Sequence, residues 1–132
     1  MILVDSSVWA DFFNGYPSPE EIKLKALLDS RADIAITGII ASEVLSGFKD
    51  KKTFEEVKDT FLKLPQTQIN FNYHIQAAKM YRNLRSKGIT IRSIIDCLIA
   101  IITIEDKLEL LHKDRDFEMI RKYYPSLKLL QV

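Results

Sequence analysis

Acidic residues in four separate parts of the chain have the type and placement that phosphodiester chemistry requires. Asp5 directly follows the first apolar run, and Glu43 lies in the first turns of a helix predicted after the second run. Asp96 interrupts the most apolar stretch, and Asp114 and Asp116 follow a further apolar run. Carboxylates that meet in one place repel one another unless a cation neutralises them. A shared location would therefore indicate a metal site.

The expected ion is Mg²⁺, with Mn²⁺ as its close substitute. All the candidate ligands are oxygens and neither histidine lies at ligand spacing, so a hard cation is favoured. Such an ion makes water more acidic and polarises a phosphate oxygen, and the two effects together hydrolyse phosphodiesters. An acid not fully engaged with the metal, Glu43 or Asp116, would orient or deprotonate the water.

Each acid also has a purely structural interpretation. Ser93 and Asp96 have the spacing of a helix capping box, and the other acids could be helix caps, surface charges or turn formers. A lone carboxylate among the apolar neighbours of Asp96 would nevertheless be costly. All four acidic positions also fall at one edge of the same predicted sheet, which favours the metal-site interpretation.

Short apolar runs alternate with helical patterns, and together they predict the elements that must position the acids. Strands are predicted at residues 2–4, 34–36, 108–111 and 127–130, with 68–69 as a further candidate. Helices are predicted at residues 8–13, capped by Ser6-Ser7, and at 20–30, 39–48, 51–64, 73–87, 93–105 and 117–123, with 113–116 as a loop. This alternation predicts an α/β fold with a parallel sheet between helices, whose ligands bind beyond the carboxyl ends of the strands.

Length and composition predict one domain over residues 1–132. The chain is 47% hydrophobic, which is enough to bury a core at this length. Cys97 is the only cysteine, so an intramolecular disulfide and a cysteine-spaced zinc site are excluded. The sequence has no export signal and no apolar stretch long enough to span a bilayer, so we expect a soluble, cytoplasmic protein.

The net charge of +1 gives no general attraction to nucleic acid. Contacts with RNA would depend on local basic groups, and composition alone favours solvated faces for them. The candidates are Lys49, Lys51 and Lys52, then Arg82, Arg85, Lys87 and Arg92, then Lys113 and Arg115.

Four segments that contain the acids resemble the PIN-domain family, in particular its VapC-like members. They are ILVDSSVW at 2–9, SEVLSG at 42–47, IIDCLIA at 94–100 and LHKDRDF at 111–117, in the family's order and spacing, so that the match covers nearly the whole chain. The resemblance implies a three-layer α/β/α sandwich with a central parallel sheet. It also implies an endoribonuclease that uses Mg²⁺ or Mn²⁺, the toxin of a type II toxin-antitoxin pair.

The resemblance also assigns site residues. It implies an acidic quartet that binds metal and serves catalysis, together with a fifth acid: Asp5, Glu43, Asp96 and Asp114, with Asp116. Members differ around the last acid, so Asp114 and Asp116 can exchange roles. Ser7 matches the family's small polar residue beside the first aspartate and would bind metal-held water or phosphate.

The resemblance further implies partners. VapC-like proteins usually dimerise, can form higher toxin-antitoxin assemblies, and are inhibited by a small VapB-like antitoxin whose tail occupies a groove and the acidic site. An apolar groove for that tail could involve four aromatic residues, although core packing is the other interpretation for most of them: Trp9, Phe12, Phe13 and Phe48. His112 is expected to make a hydrogen bond at a strand end, and Cys97 to be a core residue.

Other classes fit the sequence less well. A receiver domain needs adjacent acids after the first strand, where this chain has Ser6-Ser7, and a haloacid-type phosphatase needs a second aspartate at the position of Ser7. Two alternatives within the PIN family stay open, namely an RNA-processing nuclease and a binding protein that does not cleave. Toxicity on expression, with rescue by a co-expressed neighbouring gene, would distinguish a toxin from a processing enzyme.

Overall fold

A three-stranded parallel sheet forms the centre of the protein, whose structure, a computed structural model, describes all of residues 1–132. The strands are β1 (Ile2–Val4), β2 (Ile34–Ala35) and β3 (Glu109–Leu111), in the spatial order β2-β1-β3. In β1, Leu3 pairs with Ala35 on one side and Leu110 on the other. A central parallel strand is covered on both faces, which explains its continuous apolar sequence. The predicted α/β class with a parallel sheet is confirmed.

Seven helices connect and follow the strands. They are α1 (Ser6–Asn14), α2 (Pro19–Asp29), α3 (Gly38–Leu45), α4 (Lys51–Leu62), α5 (Phe71–Ser86), α6 (Ile94–Glu105) and α7 (Arg115–Tyr123). Every helix except α1 begins with a side chain that accepts a backbone N–H of its first turn, from Ser18, Thr37, Asp50, Asn70, Ser93 and Asp114. These caps satisfy amides that the helix leaves unpaired. None of the seven is long and apolar enough to cross a membrane.

The most deeply buried helix is α6, which carries Asp96 in its first turn. Its residues 97–103 are all buried, as expected for a helix that is apolar on every side. Helix α5 packs along it, and the hydroxyl of Tyr73 donates to the carboxylate of Asp106, just after α6, at 2.6 Å. Because both its length and its end are held, α6 presents Asp96 at a fixed position.

The structure corrects four sequence predictions. Residues 68–69 and 127–130 are not strands. Next to the first segment, Gln66 makes a single bridge with Ile36, and within the second, Leu129 makes a single bridge with Leu110. Ser6 and Ser7 are the first two residues of α1 rather than its cap. Asp116 lies in the first turn of α7 rather than in a loop, because the preceding cap already starts the helix there.

Candidate metal centre

The carboxyl ends of β1 and β3 are joined by a hydrogen bond, which brings the first and last predicted acids to one edge. The backbone N–H of Asp5 donates to the carbonyl of Leu111 at 2.9 Å. The strands are parallel, so their ends face the same way and the chain leaves both in the same region. Asp5 thus lies beside the start of the segment that carries Asp114 and Asp116.

Three of the predicted acids form a compact group, the three-acid cluster of Asp96, Asp114 and Asp116. One carboxylate oxygen from each lies within 4.8 Å of the others. Asp96 comes from α6 and the other two from the start of α7, so the cluster depends on the packing of these two helices. It is the cluster of candidate ligands that the sequence predicts, without Asp5 and Glu43.

Local hydrogen bonds hold the start of α7. Oδ1 of Asp114 accepts from the backbone N–H of Asp116 at 2.9 Å and caps the helix. Nδ1 of His112 accepts from the backbone N–H of Asp114 at 3.1 Å. The predicted hydrogen bond of His112 at the strand end is therefore confirmed. Burial lowers the pKa of His112, which favours the neutral ring that can accept this bond.

Arg92 donates three hydrogen bonds to two acids of the cluster. Its backbone N–H and its Nε each donate to Oδ2 of Asp116 at 3.2 Å. Its Nη2 donates to Oδ1 of Asp114 at 2.7 Å. From sequence alone, Arg92 is only one of several candidate basic groups. Its position directly before the capping Ser93 and four residues before Asp96 was the available signal.

Asp96 has the most perturbed carboxylate of the site. Its pKa is raised to about 7, first by burial and then by the negative charges of Asp114, Asp5, Asp116 and Glu43, in that order. Ser93 caps α6 through the N–H of Ile95 at 3.1 Å, but the carboxylate of Asp96 makes no hydrogen bond, so the capping-box interpretation of Asp96 is wrong. The five predicted acids thus share one electrostatic environment.

Asp5 and Glu43 lie outside the three-acid cluster but close to it. Asp5 is buried, and burial raises its pKa, although the Ser7 hydroxyl opposes this by donating to Oδ2 at 3.0 Å. Burial and then the charge of Asp5 raise the pKa of Glu43. The side chain of Asp5 does not cap α1. The ligand roles of Asp5 and Glu43, and the role of Ser7, stay predictions.

A cleft of about 340 Å³ opens between α1 and α3 beside these acids. Its lining includes Ser6, Ser7, Asn14, Glu43 and Phe48. Ser6 and Ser7 begin α1 directly after β1, at the carboxyl edge of the sheet, whereas Asn14 lies at the other end of α1. The cleft is large enough for a phosphate-sized group to approach Glu43.

The aromatic residues of α1 belong mainly to the core. Trp9 is buried, its ring stacks on Phe13, and it meets Phe12 and Phe61 edge to face. Phe48 contacts Phe13 and also lines the cleft. Core packing therefore explains most of the aromatic residues considered for a groove, as the alternative interpretation expected.

The donor set of the three-acid cluster fits a hard divalent cation. Three carboxylates supply oxygen only, and Mg²⁺ or Mn²⁺ accepts such ligands. Burial and then the negative charges of the neighbouring acids raise the pKa of Asp96, which is the environment that a bound cation would relieve. Cys97 is a buried core residue as predicted, and burial raises the pKa of its thiol to about 12, so it offers no thiolate.

The fold and the site define a class of protein, an α/β domain with a cluster of acids at the carboxyl edge of a parallel sheet. The model of the PIN domain family matches residues 2–123. Ribonuclease VapC11 of Mycobacterium tuberculosis is 36% identical to this chain over 124 residues, which is 92% of each protein. The chain therefore belongs to the PIN-domain family and is similar to VapC ribonucleases, and the resemblance of its four segments is confirmed.

Solved structures agree on the fold. The structure of VapBC2 from Rickettsia felis, bound to a DNA fragment from its promoter, superposes with a TM-score of 0.74 at 24% identity, covering 98% of both chains. VapC20 of M. tuberculosis, described as a toxin that cleaves the sarcin-ricin loop, superposes with a TM-score of 0.69 at 15% identity, covering 90% of this chain and 94% of that one.

Proposed function

We propose that this protein is a VapC-type endoribonuclease that hydrolyses RNA phosphodiester bonds with Mg²⁺ or Mn²⁺ at the three-acid cluster. The main observation in its favour is the approach of three carboxylates within 4.8 Å, one of which, Asp96, has a pKa raised to about 7. Perturbed groups of this kind concentrate at functional sites. The identity of 36% with a named ribonuclease supports the same reaction class.

Asp96, Asp114 and Asp116 are the residues proposed to hold the ion. When bound, it would act as a Lewis acid towards a phosphate oxygen and lower the pKa of water. Asp5 borders the cluster and adds negative charge that Asp96 experiences. The Ser7 hydroxyl donates to Asp5 and orients this carboxylate.

Glu43 is proposed to take the proton from the attacking water. It is exposed in the cleft and lies outside the three-acid cluster, so its carboxylate stays available. The carboxyl group is still partly shielded from water, and this shielding and then the charge of Asp5 raise its pKa. A carboxylate with a higher pKa is a better proton acceptor near neutral pH. Of the two acids that the sequence left open for this role, Asp116 is engaged by Arg92.

The cleft between α1 and α3 is proposed to receive the RNA backbone. Ser6 and Asn14 offer neutral hydrogen-bond donors to phosphate and sugar oxygens along it. Neutral donors suit this place because the net charge is only +1 and the acidic edge lies alongside. The divalent ion would then provide the main attraction for the phosphate to be cleaved.

The protein is further proposed to be the toxin of a toxin-antitoxin pair, with a small VapB-like antitoxin as partner and a homodimer as the assembled toxin. The VapBC2 structure superposes over almost the whole chain, which supports this kind of partner. In such a complex, the antitoxin would cover the cleft that includes Phe48 and Glu43.

Cleavage of labelled RNA by the purified protein tests the reaction. Cutting should require Mg²⁺ or Mn²⁺, stop with a chelator and return when the ion is restored in excess. Cleavage that persists after exhaustive chelation would contradict the metal assignment. The toxin role is tested separately by growth arrest on expression and rescue by a co-expressed neighbouring gene. Cleavage without growth arrest would instead favour an RNA-processing enzyme.

A further inference from the structure

Arg92 connects the two parts of the chain that form the three-acid cluster. It directly precedes the cap of α6, whose first turn carries Asp96, and it bonds to both acids at the start of α7. The Arg92 side chain spans from Asp116 through Nε to Asp114 through Nη2. No other basic side chain bonds to any acid of the cluster. Arg92 is therefore the one contact that fixes these two carboxylates against the loop before α6.

The hydrogen bonds of Arg92 leave the remaining oxygens free. They engage Oδ1 of Asp114 and Oδ2 of Asp116. No hydrogen bond engages Oδ2 of Asp114, Oδ1 of Asp116 or either oxygen of Asp96. Each carboxylate is thus held by at most one of its oxygens, and every acid keeps an oxygen for a cation.

The effect of Arg92 on geometry should exceed the effect of its charge. Its side chain is 73% exposed, so water and salt screen its repulsion of a nearby cation. Mg²⁺ and Mn²⁺ sites, by contrast, depend on the placement of each oxygen, because Mg²⁺ demands near-octahedral geometry. Carboxylates that lose an orienting hydrogen bond regain rotational freedom, which the ion must then restrict.

We propose that Arg92 is a positioning residue for the divalent ion, holding one oxygen of Asp114 and one of Asp116 so that the free oxygens face the cation. This inference rests on the proposed metal-dependent function. Hydrogen-bond partners of metal ligands typically change metal affinity about 10- to 100-fold when they are removed. Arg92 keeps its backbone bond to Asp116 in any variant, so substitution tests the guanidinium alone.

Isothermal titration calorimetry of the metal-free, full-length protein with Mn²⁺ measures the affinity for the ion directly. The titration is made at a pH about one unit above the Asp96 pKa. Arg92→Met should weaken Mn²⁺ binding about 10- to 100-fold. Arg92→Lys retains the charge but cannot bond to both acids as a planar fork does, so it should also bind Mn²⁺ more weakly than the wild type.

Arg115→Met is the matched control. Arg115 lies between Asp114 and Asp116 in sequence and is exposed, but its side chain makes no hydrogen bond or ion pair. This variant removes the same charge from the same region without removing an orienting contact. It should bind Mn²⁺ like the wild type or slightly more tightly.

Cleavage provides a second measurement. The Mn²⁺ concentration for half-maximal cleavage by Arg92→Met should rise by the same factor as the dissociation constant. The maximal rate at saturating Mn²⁺ should fall much less, because the ion then orders the carboxylates itself. A general loss of structure would lower the maximal rate at every Mn²⁺ concentration, and circular dichroism of the metal-free variants checks the fold.

The outcomes separate this inference from the proposed function. If the wild type binds no Mn²⁺, the proposed metal-dependent function fails and this inference fails with it. If the wild type binds Mn²⁺ and folded Arg92→Met binds equally or more tightly, only the positioning role of Arg92 is overturned. Should Arg92→Met not fold, wild-type affinity in Arg92→Lys would overturn the role equally.

Discussion

Two acidic regions lie on either side of the loop that follows β3, and they differ in whether the fold neutralises their charge. We call the region of Asp11 the compensated region, and the three-acid cluster with Asp5 and Glu43 the uncompensated region. In the first, the carboxylate of Asp11 on α1 accepts hydrogen bonds from Lys113 and, at 2.6 Å, from Ser18. Burial alone would raise the pKa of Asp11, but these two partners outweigh it and the pKa is lowered. Asp11 is therefore an acid whose charge the fold itself compensates.

The three-acid cluster, of which Asp114 directly follows Lys113, has the opposite character. Burial and neighbouring carboxylates raise the pKa of Asp96 to about 7, and no side chain donates to it. Arg92 compensates Asp114 and Asp116 only, from an exposed position. A carboxylate with an internal cation stabilises the fold, whereas uncompensated carboxylates held together by the fold indicate a cation that comes from outside.

The largest expected difference between the two regions is in RNA cleavage. Asp96→Asn removes a proposed ligand of the ion and should lower the cleavage rate about 1,000-fold or more, because the ion contributes several kcal/mol to transition-state stabilisation. Asp11→Asn makes the same chemical change in the compensated region and should leave the rate unchanged. Rates measured on one labelled RNA at saturating Mn²⁺ make the comparison.

A folded Asp96→Asn variant that cuts at the wild-type rate would remove Asp96 from the mechanism. Circular dichroism and thermal unfolding of both variants show whether the fold survives. Loss of cleavage in Asp11→Asn at full stability would mean that the two regions are not functionally distinct.

Glu43→Gln tests how far the uncompensated region extends. Burial and then the charge of Asp5 raise the pKa of Glu43, which lies outside the three-acid cluster and is proposed to accept a proton. The substitution should lower the maximal cleavage rate about 100-fold, the usual contribution of a general base. The affinity for Mn²⁺ in a calorimetric titration should change little.

A loss of Mn²⁺ affinity as large as that of Asp96→Asn would instead make Glu43 a ligand, as the family resemblance first implied. The pH dependence of the maximal cleavage rate adds a check. If Glu43 is the base, the maximal rate should rise with pH as Glu43 ionises, and Glu43→Gln should lose this rise.

The sequence predicted the uncompensated region much better than the compensated one. Each cluster acid follows a short apolar run or opens an apolar helix, so local patterns located it. The parallel sheet then brought the ends of β1 and β3 together, as the alternation of strands and helices predicted. The central strand and the most buried helix were predictable for the same reason, because burial on all sides leaves a continuous apolar run.

The contacts that hold the acids were not predictable, because they join distant parts of the chain. Arg92 reaches acids 22 and 24 residues away, and Lys113 reaches Asp11 across 102 residues. A basic residue with such a partner looks, in sequence, like any residue of a solvated face. The two false strands failed for a related reason, since pairing depends on how much free sheet edge the fold leaves beside a segment.

The difference between the two regions should also affect how the stability of the metal-free protein depends on pH. The pKa of Asp96 is raised in the fold, so the unfolded chain ionises first, and stability is lost as pH rises from about 4 to about 7. Asp96→Asn removes this loss and should stabilise the metal-free protein by about 2 kcal/mol above pH 7, less near pH 4. Thermal unfolding in the presence of a chelator measures the difference.

Mn²⁺ should reverse the order of stability, so that the wild type becomes more stable than Asp96→Asn. An ion bound only by the folded state adds about 2.7 kcal/mol at 100 times its dissociation constant. The wild type gains this stabilisation, and Asp96→Asn gains much less. An unchanged unfolding temperature of the wild type at saturating Mn²⁺ would count against a preformed cluster.

The smallest expected effect is the loss of the compensated pair. Asp11→Asn leaves Lys113 without its carboxylate and should destabilise the protein by about 1 kcal/mol, a value typical of a partly exposed ion pair. Because the pKa of Asp11 is lowered in the fold, this contribution is present above about pH 4 and is lost as pH falls further. The sign is opposite to that of Asp96.

Urea unfolding at neutral pH and at about pH 3 measures both signs in one experiment. Asp33→Asn is the matched control, since Asp33 is exposed and its carboxylate makes no hydrogen bond or ion pair. It should change the free energy of unfolding at neither pH. If Asp11→Asn is as neutral as this control, Lys113 does not stabilise the fold through Asp11. The distinction between the two regions would then rest on Asp96 alone.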